Sequence, residues 1–182
     1  MGVGGTRRQL LLTTTMLAGA LTGYGGRAYA ACANSGGSTY QCSGANVTQQ
    51  SITLVDDADV STVPGFSVVT GDPRAISITG DGALFYTDTY SSPLTGATTA
   101  LYIRSNGDVG GGNPGSVTVT TDGVLIGGTF GIYTRNYGSG ALAVTANGDV
   151  TGFDGIVARN RGTDLTVTTG AGTTVTGGPL GI

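Results

Sequence analysis

The 182-residue sequence contains no His, no Trp, no Lys and no Glu. All of its charge sits on eight Arg and eleven Asp, so only 10% of residues are charged, against ~25% in ordinary globular domains. Each absence removes a chemistry. Without imidazole there is no Ser-His-Asp or Cys-His nucleophile pair, no His-ligated zinc and no imidazole general base. The formal charge is −3, and no basic run follows the first thirty residues, which excludes a nucleic-acid partner of the usual cationic kind. What the sequence does hold is 35 Gly and 30 Thr, with abundant Val. Good helix formers are scarce, while β-branched residues suit strands and Gly suits turns. The composition is that of a β-rich, turn-rich, all-β chain.

Residues 1–30 read as a cleavable signal peptide. Arg7 and Arg8 make the n-region positive, and Leu10, Leu11, Leu12, Leu17 and Leu21 supply a mildly apolar stretch too interrupted for a membrane span. Ala28-Tyr29-Ala30 is a small-x-small cleavage site that leaves Ala31 as the new N-terminus. Thr6-Arg7-Arg8-Gln9-Leu10-Leu11 also fits a twin-arginine signal, so the export route stays open between that and Sec. Removing the leader leaves five Arg against eleven Asp, a net charge of −6. The two cysteines, Cys32 and Cys42, form an even pair in an exported chain and are read as a disulfide staple. In the chain-entropy picture so short a loop contributes about 2–3 kcal/mol.

Internal repetition is the most informative feature. Ser116–Thr120 (SVTVT), Ala141–Thr145 (ALAVT) and Asp164–Thr168 (DLTVT) are copies of one motif, with Val117, Leu142 and Leu165 offset by 25 and then 23 residues. A second motif ends in Gly127, Gly152 and Gly177, and a third reads GIYTRN at 131–136 and GIVARN at 155–160. Each unit of about 24 residues thus carries three short alternating segments separated by Gly, Asn or Asp. A propeller blade needs about 40 residues, and a leucine-rich repeat needs a Leu/Asn density that is missing here. The expected fold is a right-handed parallel β-helix with three short strands per coil.

That fold stacks like on like at ~4.8 Å. One interior ladder is expected to hold Ile76, Val117, Leu142 and Leu165, and the next Ile78, Val119, Val144 and Val167. Ser77, Thr118, Ala143 and Thr166 then face water. Arg135 with Asn136, and Arg159 with Asn160, are expected to stack at one corner, Asn tolerating a left-handed turn. The two arginines either bind an acidic or sugar ligand or pair with Asp154 and Asp164. Thr87–Thr99 reads as a polar insertion; with Tyr86, Asp88 and Tyr90 it is the candidate adhesive loop. The domain plan is 1–30 signal peptide, 31–70 an irregular capping segment with the disulfide, and 71–182 β-helix repeats that end inside a coil.

A leader, a Cys-bounded segment and repeats of the form GI-x-x-RN, L-x-VT and G-x-VTG together resemble the passenger domain of bacterial autotransporters of the type V secretion pathway. The resemblance spans the whole chain and rests on repetitive, non-catalytic motifs. It implies a Gram-negative origin, export, and display of the β-helix at the cell surface or outer membrane as an adhesin or structural stalk. Host matrix or glycan ligands are the implied partners, and a translocator barrel is the implied C-terminal neighbour. No barrel-like run of strands occurs in this sequence, so the expectation is an N-terminal fragment of a longer protein.

Catalysis is weighed against this. Asp56, Asp57 and Asp59 form an acidic cluster of a kind that some polysaccharide-cleaving β-helices use with calcium, but it does not recur at the coil period. Asp149 and Asp154 share a coil without forming a repeated dyad. The expectation is a non-enzyme with no cofactor, no metal site and no catalytic residue. The alternatives are a carbohydrate-active β-helix (lyase or hydrolase) whose catalytic coils lie downstream, and a gene fragment without function.

Overall fold

The computed structural model describes residues 31–107 and 114–178; the leader with its Ala28-x-Ala30 site lies outside them. Every element described is a strand. β1 (Ala31–Gly36) turns into β2 (Thr39–Ser43), followed by β3 (Ala45–Asn46) and β4 (Gln50–Thr53). Three strands per group then recur. The first such group is β5 (Ala58–Thr62), β6 (Ser67–Val69) and β7 (Arg74–Gly80), and the second is β8 (Ala83–Asp88), β9 (Leu94–Gly96) and β10 (Thr99–Ser105). Next come β11 (Ser116–Thr121), β12 (Leu125–Gly127) and β13 (Phe130–Asn136). After them run β14 (Leu142–Ala146), β15 (Val150–Thr151) and β16 (Asp154–Asn160), then β17 (Leu165–Thr169) and β18 (Val175–Thr176).

These strands build three sheets: sheet A in the order β1-β2-β5-β8-β11-β14-β17, sheet B in the order β18-β15-β12-β9-β6-β3, and sheet C in the order β16-β13-β10-β7-β4. From β2 onward the chain visits A, B and C in rotation, and each strand pairs in parallel with the strand three places on. Only β1 departs from this rule. It runs antiparallel to β2 and sets Cys32 directly opposite Cys42, which are joined by a disulfide. Regular parallel pairing therefore begins at Thr39 and not near residue 71, because β2, β3 and β4 already pair with β5, β6 and β7.

The core is a set of interior columns. In sheet A one column runs Ala58, Leu84, Val117, Leu142, Leu165, and the next Val60, Tyr86, Val119, Val144, Val167. Sheet C contributes Gln50, Ile76, Leu101, Ile132, Ile156. Sheet B adds Asn46, Val68, Leu94, Leu125, Val150, Val175. The ladders expected for Val117, Leu142 and Leu165 and for Val119, Val144 and Val167 are present. Ile76 and Ile78 do not belong to them: they lie in sheet C, and Leu84 and Tyr86 hold the sheet A positions. The misassignment follows from the chemistry, since AISIT and SVTVT are interchangeable as alternating segments. At the β16–β17–β18 end of the described residues the interior is open, and Leu165 and Val167 are 51% and 47% exposed.

Tyr86 is the largest fully buried side chain, and its hydroxyl has no hydrogen-bond partner. Burial, reinforced by the charge of Asp88, raises its phenol well above the ordinary tyrosine value. The unfolded chain releases this proton near pH 10, whereas the folded chain holds it. Stability is thus fully present below about pH 10 and is lost as the pH climbs further. Tyr86→Phe is expected to add about 1 kcal/mol at pH 7 by removing an unpaired buried hydroxyl, and to flatten the loss between pH 10 and 11. Urea midpoints at both pH values test this; a variant less stable at pH 7 would contradict it.

Candidate functional site

The segment read as the adhesive loop is partly strand: Thr87 and Asp88 end β8, Leu94–Gly96 is β9, Thr99 opens β10, and residues 89–93 and 97–98 connect them. Tyr86 and Asp88 point into the interior and are fully buried, and Leu94 is a core residue of β9. Of the three residues only Tyr90 is presented to solvent, at 53% exposure. The segment Thr87–Thr99 reads as an insertion because sheet B strands are so short that Leu94-Thr95-Gly96 carries one apolar residue. The buried Asp88 carboxylate has an internal task. Its Oδ1 accepts hydrogen bonds from the Thr62 hydroxyl (2.7 Å) and the Tyr90 N–H (3.1 Å), and Oδ2 accepts from the N–H groups of Ser92 (3.0 Å) and Gly123 (3.1 Å). One side chain thereby ties three successive groups of strands together and shapes the turn at Ser91, whose φ is 54°.

In the acidic stretch 56–59, Asp57 Oδ1 accepts from the Ala83 N–H at 2.7 Å, while Asp56 and Asp59, the latter in β5, have exposed side chains. Asp149 caps the next group in the same way, accepting from the Thr174 N–H at 2.8 Å. The Asn corner is present, with Asn136 opposite Asn160 in the β13–β16 register and Asn136 Nδ2 donating to Asn160 Oδ1 at 2.9 Å. Its cause differs from the expected one. Neither Asn has a left-handed backbone. Each instead bonds the following turn, the Gly138 N–H donating to Asn136 Oδ1 and the Gly162 N–H to Asn160 Oδ1, both at 3.0 Å.

The outer face of sheet C is where unpaired chemistry collects. Arg104, Arg135 and Arg159 stand side by side in register on β10, β13 and β16. Two positions back on the same strands, Tyr102, Tyr133 and Val157 form the neighbouring column. The alternation of the strands puts both columns outward while Ile103 and Thr134 between them are buried. Arg74 sits in β7, and Arg161 directly follows β16. All five arginines of the segment 31–182 therefore lie on or beside this one sheet. Of the ten Asp among the described residues, only Asp154 belongs to a sheet C strand.

These groups are held by aromatic faces. The Arg74 guanidinium lies 3.5 Å from the Tyr102 ring centroid, and its Nη1 donates to Ser77 Oγ at 3.1 Å. Tyr102 and Tyr133 stack at 5.4 Å with their planes 4° apart, and Phe130 tilts against Tyr133 at 5.1 Å. Arg74 comes from β7 and Tyr133 from β13, the strands flanking β10, so both faces of Tyr102 are covered. Around Tyr137 three guanidinium groups gather, those of Arg104, Arg135 and Arg161, at 4.9, 4.2 and 4.8 Å from the ring centroid. Such contacts are attractive, since the ring face is negative. The pairing of Arg135 with Asp154 or Asp164 is not made; its partner is the Tyr137 ring.

Beside the columns runs an open groove of about 460 Å³ lined by Pro73, Arg74, Tyr102, Phe130, Tyr133 and Arg159, within the size range of ligand clefts. Its walls carry cations and phenols, a set suited to holding an anion. Sequence reasoning singled out Arg135 and Arg159 here but missed Arg74, Arg104, Arg161 and the three tyrosines. The signal was available in Tyr102-Ile103-Arg104 and Tyr133-Thr134-Arg135, one aromatic-x-Arg motif recurring after 31 residues. A spacing longer than the repeat disguised it. Comparison with protein-family models, with curated proteins and with solved structures finds no match.

Proposed function

We propose that this chain is an exported, surface-displayed right-handed parallel β-helix, part of an autotransporter passenger that serves as an adhesive or structural stalk and is not an enzyme. The observation that carries this reading is the rotation of consecutive strands through three parallel sheets with unbroken register from β2 to β18. A right-handed path is the one that parallel crossover connections take almost without exception. The leader at 1–30 supports export, and the disulfide supports an oxidising compartment. Outside the columns that fill the core, sheet C exposes guanidinium groups and phenols, which recognise ligands by hydrogen bonds and charge.

The reading is tested in two measurements. Expressed in a Gram-negative host, the chain should leave the cytoplasm and begin at Ala31 by N-terminal sequencing; a full-length cytoplasmic product would sink the export reading. Purified protein supplied with calcium and polyuronides should release neither reducing ends nor unsaturated sugars. Either product would replace the stalk with the carbohydrate-active alternative.

A further inference from the structure

Three in-register arginines on adjacent parallel strands are an expensive arrangement. Strands lie ~4.8 Å apart, and like charges placed directly across from one another destabilise a sheet. Arg104, Arg135 and Arg159 occupy such positions, and Arg161 adds a further charge against the same Tyr137 ring that Arg104 and Arg135 share. Their contacts with the ring soften the repulsion but leave the forked N–H donors without a carboxylate. Arg104 shows this most sharply: its Nε is shut away from solvent and has no hydrogen-bond partner. The rest of the segment 31–182 is acidic, so the positive face is confined to one sheet of a segment with net charge −6.

We infer that the arginine–tyrosine face of sheet C binds an acidic polysaccharide, a linear glycan bearing carboxylate or sulfate groups, laid across the strands. This rests on reading the chain as a binding scaffold and names the ligand class of its site. Guanidinium forks match carboxylate and sulfate oxygens in pairs. A column of them one strand apart matches a ligand that repeats its charge along a chain. The groove beside the column offers Tyr102 and Tyr133 to sugar hydroxyls. Single-stranded nucleic acid fits less well, because its binding needs aromatic faces open for base stacking, and Tyr102 is covered on both faces.

The test is titration of the full chain with four probes: polygalacturonate, heparin, neutral dextran and single-stranded DNA. Polygalacturonate and heparin should bind, with affinity falling as salt rises, and dextran should not. The double variant Arg159→Gln/Arg161→Gln removes two solvent-exposed charges without touching the core and should weaken binding at least tenfold. Arg135→Lys keeps the charge but loses the fork and should weaken it severalfold. No binding of either acidic glycan, equal binding of dextran, tighter binding of DNA, or an unaffected double variant would each overturn the inference. Binding accompanied by cleavage would leave the site in place and overturn the non-enzymatic reading instead, so the two failures are distinct.

Discussion

Replacing Asp88 with alanine is expected to be the most damaging single change to polar structure in the molecule, lowering stability by roughly 3–5 kcal/mol. The carboxylate is fully buried and accepts from the N–H groups of Tyr90, Ser92 and Gly123 and from the Thr62 hydroxyl. Alanine would strand three backbone donors away from water, each worth about 1–3 kcal/mol. Part of that is returned because a buried charge is no longer carried. Asp88→Asn is the sharper comparison. With its carbonyl oxygen toward the Ser92 and Gly123 N–H groups, its NH₂ faces the Thr62 hydroxyl, which can turn to accept, and the Tyr90 N–H, which loses its acceptor, so it should recover about half of the loss. Urea denaturation of the three proteins checks the ranking. A loss below about 1 kcal/mol for Asp88→Ala would mean that water enters the turn and takes the place of the carboxylate.

Asn136→Ala should come second, at roughly 2–3 kcal/mol. Asn136 is fully buried; its Nδ2 donates to Gly140 O and to Asn160 Oδ1, both at 2.9 Å, and its Oδ1 accepts from the Gly138 N–H. Truncation leaves that N–H without its acceptor and takes a donor from Gly140 O, while Asn160 Oδ1 keeps the Gly162 N–H. Asn136→Asp tests donor against acceptor roles. It keeps the bond from Gly138 but sets a negative oxygen against the Gly140 carbonyl and Asn160 Oδ1, so it should be no better than alanine. Asn160 is half-exposed, and Asn160→Ala should cost about 1 kcal/mol or less because water substitutes. Amide hydrogen exchange gives a local readout: Gly138 should lose protection in Asn136→Ala. Unchanged protection there would contradict the assignment.

The unevenness of what could be read beforehand has a physical basis. Sheet A strands of five or six residues, such as Ser116–Thr121 and Leu142–Ala146, carry enough alternation to be recognised, and their ladder was legible from β11 through β17 but not at β8, where Ile76 and Ile78 were set in place of Leu84 and Tyr86. Sheet B strands of two or three residues, such as Leu94–Gly96 and Val150–Thr151, bury one side chain each. One Leu among Thr, Pro and Gly looks like a polar connection. The arginine site was half visible. Arg135 and Arg159 fall one repeat apart, while Arg104 sits behind a longer connection and Arg74 reaches the face from another strand. Asp88 was the most misleading residue, because an Asp between two Thr looks solvated. Nothing in sequence spacing announces that Thr62, Tyr90, Ser92 and Gly123 converge on it.

The parallel pairing of every strand from β2 onward with the strand three places on also fixes how far along the chain a residue must look for its partner. Register partners such as Leu142 and Leu165 or Asn136 and Asn160 are 23 and 24 residues apart. That separation belongs to the repeat and does not grow with the molecule. Relative contact order, the mean separation of contacting residues divided by chain length, governs folding speed across small proteins. In this architecture the numerator is constant, so each added repeat lowers the ratio. Lengthening such a chain makes its topology more local, the reverse of what happens when an ordinary β-sandwich is enlarged.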